Sequence, residues 1–304
     1  MVNDNKALNR SRSAIDNDEF YTLYSDIESE VRYYHNQLKG KIVYCNCDNP
    51  IISNFVQYFI RNFNKIGLKR LIVSCLHYPT GYTIDISSVP VDIASAPKSK
   101  LIEWIIPHIH NLSGNGGFQA PECINLLKKC DIVITNPPFS LFRIWYDLVK
   151  ANRKRFLVLA NMNTCLSANI SEDIIENRCR FGCETVNREY SFTSPSGAIR
   201  KIRYICWLTN MQTVSKPFIP TIYRPISEYE TYDGQNVLKI PKITEIPARY
   251  NGVMGVPTSF LFKHNPAQFK IVGIAKHGKD NRYDLFIPRL HGKDCYTAIL
   301  IQKR

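Results

Sequence analysis

Asp131-Ile132-Val133-Ile134-Thr135-Asn136-Pro137-Pro138-Phe139 is the stretch on which the reading of this chain turns. Ile132 to Thr135 run without polar alternation, the pattern of a parallel strand buried on both faces. The two prolines that follow fix φ and hold the preceding backbone extended, so the chain leaves the strand in a rigid loop. Helical spacing resumes over 141–151, which makes strand, loop and helix one βα unit.

The same alternation extends in both directions. Upstream, Lys41–Asn46 reads as a strand and runs into Cys47-Asp48-Asn49-Pro50, followed by apolar residues at Ile51, Phe55, Tyr58, Phe59 and Phe63. That spacing predicts a helix with Asp48 or Asn49 as N-cap and Pro50 in its first turn. Lys69–Cys75 is a further strand, Pro121–Lys129 a helix, Phe156–Ala160 a strand, and Ser171–Asn177 a helix capped by Ser171. Thr83–Ile86 and Leu101–Ile106 are weaker strand candidates. Such an order predicts a mostly parallel sheet with helices on both faces. Thr185–Phe192 and Lys201–Thr209, around Ser194-Pro195-Ser196-Gly197, read as a hairpin capping that sheet. Pro217, Pro220 and Pro225 mark a boundary, beyond which Val237–Ile240, Phe269–Ile274 and Ala298–Ile301 are short strands. The expected division is a disordered segment over 1–17, an α/β domain over 18–212 and a smaller, mostly-β region over 213–304.

Composition narrows the class. A chain of 304 residues, 44% hydrophobic and 21% charged, is that of a folded protein with a sizeable core. No apolar run reaches the roughly 18 residues of a membrane span, and Met1 to Ser13 carry no apolar leader core, so a cytoplasmic protein is expected. The ten cysteines are scattered, some within apolar strands (Cys75, Cys206), which reads as reduced core thiols. No metal site is expected: His108 and His110 with Cys123 could ligate zinc, but two histidines flanking an apolar Ile109 are more often structural, and Cys45-x-Cys47 has no second ligand pair of fixed spacing nearby. The net charge of +13 is uneven, with excesses of +2 over 1–152, +4 over 153–210 and +7 over 211–304. A near-neutral first half and a basic second half suit a protein that lies on a polyanion.

Asn136-Pro137-Pro138-Phe139 carries the chemistry. An exocyclic amino group on a base is a poor nucleophile because its lone pair is delocalised into the ring. Two acceptors aimed at its hydrogens localise that pair, and the Asn136 side-chain oxygen with the Pro137 carbonyl can supply them. The prolines preorganise both acceptors, while the Phe139 ring can stack on a base taken out of its duplex.

Asp131-Ile-Val-Ile-Thr-Asn-Pro-Pro-Phe-Ser-Leu-Phe-Arg143 resembles the EcoRI-type adenine-specific DNA methyltransferases. So do Asp18-Glu-Phe-Tyr-Thr22 with Asp26-Ile-Glu28, Ile205-Cys-Trp-Leu-Thr-Asn210 and Asn251-Gly-Val-Met-Gly-Val-Pro-Thr-Ser-Phe260, in the expected order. The resemblance implies a Rossmann-like class I methyltransferase sheet with a C-terminal DNA-recognition region. It also implies adenine-N6 methylation of double-stranded DNA with S-adenosylmethionine as donor, and it leaves open a pairing with a restriction endonuclease. On this chain, Phe20, Tyr21 and Thr22 would line the methionine end of the cofactor. The turn at Asp48 and Asn49 would sit at the helix N-terminus facing it, with Asp48 a candidate contact, an N-cap, or both.

Two positions depart from the pattern. The strand ending Ser74-Cys75-Leu76-His77 lacks the carboxylate that often holds a ribose. Where the relatives resemble Gly-Asp-Gly-Asp-Phe-Arg-Ser, this chain has Ser113-Gly-Asn-Gly-Gly-Phe-Gln119, leaving Asn115 as a neutral acceptor. These gaps motivate a competing reading, a DNA-binding protein on a methyltransferase scaffold with weakened or lost catalysis. Arg188, Arg200, Lys201 and Arg203 on the hairpin, with Lys263, Lys276, Lys279 and Arg282 on later loops, are the cations placed for phosphate contacts.

Overall fold

The computed structural model describes residues 21–184, 190–193 and 199–304. The expected disordered segment 1–17, Phe20, Arg188 and the hairpin tip 194–197 lie outside the described residues. The chain divides into two compact units, Met1–Thr164 with Gly182–Thr213, and Cys165–Phe181 with Val214–Arg304. The expected boundary at 212/213 is continuous in sequence, whereas the observed division sends residues 165–181 to the second unit.

In the first unit, β1 (Tyr21–Thr22) and α1 (Tyr24–Val31) precede β2 (Ile42–Cys45), α2 (Asn54–Ile66) and β3 (Arg70–Cys75). Then come β4 (Tyr82–Ile86), α3 (Lys98–Ile105), β5 (His110–Asn111), α4 (Pro121–Lys129), β6 (Ile132–Thr135), α5 (Phe142–Ala151) and β7 (Arg155–Asn161). After α6 (Ala168–Ile175), which belongs to the second unit, follow β8 (Tyr190–Thr193), β9 (Ile199–Ile202) and β10 (Ile205–Thr209). Seven strands of the first unit lie in the order β5-β4-β3-β2-β6-β7-β10. The central four are parallel; β4 and β10 add antiparallel to β3 and β7.

Alternation along the central strands builds two layers. Val43 and Cys45 of β2, Leu71 and Val73 of β3, and Ile132 and Ile134 of β6 share one core with Ile27 and Val31 of α1 and Phe55 and Phe59 of α2. Successive side chains point to opposite faces, so the intervening residues meet the other layer. There Phe156 packs edge-on against Trp145 and Tyr146 of α5, with ring centroids 6.1 and 5.7 Å apart. All four residues of β6 are buried, as a strand covered on both faces requires.

Four local expectations change. Residues 98–105 are helical rather than a strand over 101–106, because Leu101 and Ile105 are buried one helical turn apart while Ile106 stays exposed. The helix expected from Pro50 begins at Asn54. The Asn49 side-chain oxygen accepts from Ile51 N (2.9 Å) and Ile52 N (3.3 Å), forming a separate Asx turn, and Ser53 caps α2 by accepting from Phe55 N at 3.1 Å. Ser171 lies inside α6 instead of capping it, since the buried pair Ile170 and Ile174 sets the helix register. The strand expected over 201–209 is broken at Arg203 and Tyr204, where Tyr204 takes φ 62°. Its first half, β9, pairs with β8, and β8 also pairs with β1. Its second half is β10 of the main sheet.

The second unit is mostly β. Strands β11 (Val237–Lys239), β12 (Val253–Pro257), β13 (Phe269–Ala275), β14 (Asp284–Phe286) and β15 (Ala298–Lys303) form one sheet in the order β11-β12-β15-β13-β14. Ile174 of α6 lines a small void with Ile271, Ile274 and Ile299 of that sheet, so its apolar stripe is buried here. Among the described residues no helix is long and apolar enough to cross a membrane.

Candidate active site

Strand order reverses between β2 and β6: β3 lies on one side of β2, and β6 on the other. In open α/β sheets the crevice outside the carboxyl ends of the strands at such a switch point is where ligands bind. Here β2 leads directly into Asn46-Cys47-Asp48 and β6 directly into Asn136. The two stretches singled out from sequence are therefore neighbours in space.

Asp48 ties them together. Its buried carboxylate accepts from the Ser53 hydroxyl at 2.6 Å and from the Thr135 hydroxyl at 2.5 Å. One side chain thus joins the turn after β2, the cap of α2 and the residue preceding Asn136. Burial pushes the Asp48 carboxyl up to about 6, against the lowering effect of the two hydroxyls. Asn46 performs a parallel task, its buried side-chain oxygen accepting from Trp145 Nε1 at 3.0 Å. The Asn136–Phe139 loop is consequently braced on both flanks, by Thr135 before it and by Trp145 on α5 after it. Both braces are internal bonds of fully buried groups, the condition for a preorganised loop.

Within the loop, Pro137 is buried, while Asn136, Pro138 and Phe139 are half-buried. Phe139 opens a 3₁₀ turn to Leu141, whose N–H donates to Pro138 O at 3.1 Å. Its ring meets Phe192 of β8 edge-on, 6.5 Å between centroids at 84°. Burial pushes the Cys45 and Cys47 thiols well up, so neither is a ready nucleophile.

Of the residues expected at a cofactor, Tyr21 lies in β1, and Thr22 is buried with its hydroxyl lacking a hydrogen-bond partner among the described residues. The Thr22 carbonyl accepts from Asn54 Nδ2 at 2.8 Å, which seats β1 at the N-terminus of α2, the helix that follows β2. A buried hydroxyl with bonding capacity to spare beside that helix entry fits a carboxylate-bearing ligand such as S-adenosylmethionine. Asn49 spends its side-chain oxygen on the Asx turn. The Asn115 oxygen likewise accepts from Gly117 N at 3.0 Å. Among the described residues no group of three His, Cys, Asp or Glu side chains could hold a metal ion.

Residues 7–294 match the family described as adenine-specific methyltransferase EcoRI. The chain belongs to that family. It is 36% identical to the type II methyltransferase M.EcoRI of Escherichia coli, over 99% of this chain and 97% of the relative. It is 36% identical to M.MgeORF184P of Mycoplasma genitalium, over 98% of each chain, and 34% identical to M.MpnI of Mycoplasma pneumoniae, also over 98% of each. Both are likewise named type II methyltransferases. No solved structure matches.

The EcoRI-family methyltransferase scaffold also contains braces that the sequence did not advertise. Ser53, Thr135, Asn46 and Trp145 become meaningful only once β2 and β6 are adjacent; the one local signal was Ser53, two residues before Phe55, as a cap. The expected DNA contacts have mixed fates. Arg200 lies in β9, and Lys201, Arg203, Lys263 and Lys279 are exposed. Lys276 is buried, ion-paired with Asp280 (2.8 Å) and Asp284 (3.3 Å) and donating to Leu166 O at 3.2 Å. It is committed to the interior of its unit, because a desolvated ammonium needs these partners. Arg282 is exposed but pairs with Glu176, and with Glu172 at 3.3 Å.

Proposed function

We propose that this chain methylates N6 of an adenine flipped out of double-stranded DNA, with S-adenosylmethionine as donor, on a Rossmann-like class I methyltransferase sheet. The observation that carries the reading is the Asn136–Phe139 loop at the switch point, braced by Asp48–Thr135 and Asn46–Trp145. When bound, the cofactor supplies an electrophilic methyl group on its sulfonium. Thr22, with Phe20 and Tyr21, would hold the methionine end, and the Asn46–Asn49 turn would face the body of the cofactor. The Asn136 side-chain oxygen and the Pro137 carbonyl accept the two hydrogens of the adenine amino group and raise its nucleophilicity. Phe139 stacks on the flipped ring, and the edge contact with Phe192 holds it in place. Held by these two acceptors, the amino nitrogen would present its lone pair toward the methyl group that the cofactor would supply.

The second unit, with a large share of the +13 charge, serves as the DNA-recognition region. Its exposed Lys263 and Lys279 contact phosphate, with Arg282 beside its ion pairs; Lys201 and Arg203, exposed on the first unit, add to the phosphate partners, as do Arg188 and Arg200. The test is transfer of labelled methyl to duplex DNA. Asn136→Ala should lower the rate by at least about a hundredfold, the effect of removing one preorganised transition-state contact, while calorimetric cofactor binding persists. An active Asn136→Ala variant would refute the site. Tight DNA binding by the wild-type chain, with no S-adenosylmethionine binding, would favour a non-catalytic DNA-binding protein instead.

A further inference from the structure

The carboxyl end of β3 is closed by two loops pressed against each other. His77 N donates to Asn115 O (2.9 Å), Gly81 N to Gly114 O (2.9 Å) and Leu112 N to Gly81 O (2.8 Å). The approach is so close that a Cβ on Gly81 would run into the Gly116 backbone, and one on Gly116 into the Cys75 carbonyl oxygen. Gly116 also takes φ +73°, so glycine is required there on both counts. Neither loop carries a carboxylate: residues 76–81 are Leu-His-Tyr-Pro-Thr-Gly and 112–120 are Leu-Ser-Gly-Asn-Gly-Gly-Phe-Gln-Ala.

A carboxylate reaches this place from elsewhere. Glu122, in the first turn of α4, accepts from Gly116 N at 3.3 Å. It lies over the loop so closely that a Cβ on Gly114 would sit 2.5 Å from its Oε1. The free amides of that first turn favour a negative charge there, and an ionised acceptor gives the Gly116 amide a stronger bond than a neutral one. β3 is the neighbour of β2 on the side of the switch point away from Asn136, so this double loop walls the crevice opposite the acceptor loop.

We infer that Glu122 is a positioning residue that builds the nucleoside side of the cofactor pocket, holding Gly114–Gly117 against the end of β3 where the loop has no acid of its own. The inference rests on the S-adenosylmethionine reading above. Glu122 acts through the loop: without it the glycine-rich segment samples other conformations, and affinity falls with the population of the competent one.

Calorimetry with S-adenosylmethionine on the full chain, wild type against Glu122→Ala and the shape-preserving Glu122→Gln, tests this. The dissociation constant should rise about tenfold or more in Glu122→Ala, the scale of a lost bond to a charged group, with Glu122→Gln between it and the wild type. The KM for the cofactor should follow, while kcat and the KM for DNA stay put, and the amides of 112–117 should exchange hydrogen faster. Wild-type cofactor affinity in Glu122→Ala overturns the inference alone. So does a uniform loss in which Tm, kcat and DNA affinity fall together. A wild-type chain that binds no S-adenosylmethionine overturns the proposed reaction and this inference with it.

Discussion

Asp48 offers a quantitative test of the brace between β2 and β6. Burial raises its carboxyl from 3.8 to about 6, so the folded state holds the proton more tightly than the unfolded one. Its contribution to stability is therefore fully present below 3.8 and is lost as pH rises through about 6. Each unit corresponds to about 1.4 kcal/mol, so ionisation at neutral pH disfavours folding by on the order of 3 kcal/mol. Asp48→Asn keeps the shape and one acceptor oxygen for the Ser53 or Thr135 hydroxyl but does not titrate. The stability of the wild type relative to this variant should then fall by on the order of 3 kcal/mol between pH 4 and pH 7. Urea unfolding followed by tryptophan fluorescence reports it, because Trp104, Trp145 and Trp207 all belong to the first unit. Curves that stay parallel to within about 0.5 kcal/mol, the scale of an ordinary surface substitution, would refute the reasoning. So would a variant that loses ground as pH rises.

Two further outcomes follow from the contacts. Trp145→Phe removes the indole N–H from Asn46, strands a buried oxygen and leaves a gap beside Phe156; it should cost about 2–4 kcal/mol in urea denaturation. An unchanged midpoint would refute the brace. Lys276→Met leaves the Asp284 carboxylate buried without its cation and should cost about 3–5 kcal/mol, whereas exposed Lys279→Ala should stay within about 0.5 kcal/mol. On DNA, Lys279→Ala should lower the slope of log affinity against log salt by about 1, and a slope equal to the wild type's would remove Lys279 from the contact set.

The central strands were legible because their signal is local. Ile132–Thr135, Arg70–Cys75 and Ile42–Cys45 are runs of apolar and β-branched residues, and any sheet that buries both faces selects them. The region of four prolines between 77 and 120 was misread in part. Leu101–Ile106 is apolar enough for either structure, and only the burial of Leu101 and Ile105 on one face settles it as helix. At the site, residue identity pointed to amino-group chemistry at the Asn-Pro-Pro-Phe loop, and the fold adds that this loop lies at the switch point between β2 and β6. The roles of Asp48 and Lys276 could not, since a carboxylate or an ammonium looks the same in sequence whether it faces a ligand or a buried partner.

By itself, then, the sequence determined the parallel core, the proline-held loop after β6 and the family to which they belong, all through residues adjacent in the chain. Tertiary structure alone decided that Asp48 bonds Thr135, 87 positions away, and that Asn46 bonds Trp145, 99 positions away. It likewise decided that the apolar stripe of α6 covers the sheet of the second unit, and that Glu122 supplies a carboxylate to a loop without one. Each of these depends on which strands become neighbours. Strand order is set by the burial of whole faces, and no short stretch of residues encodes it.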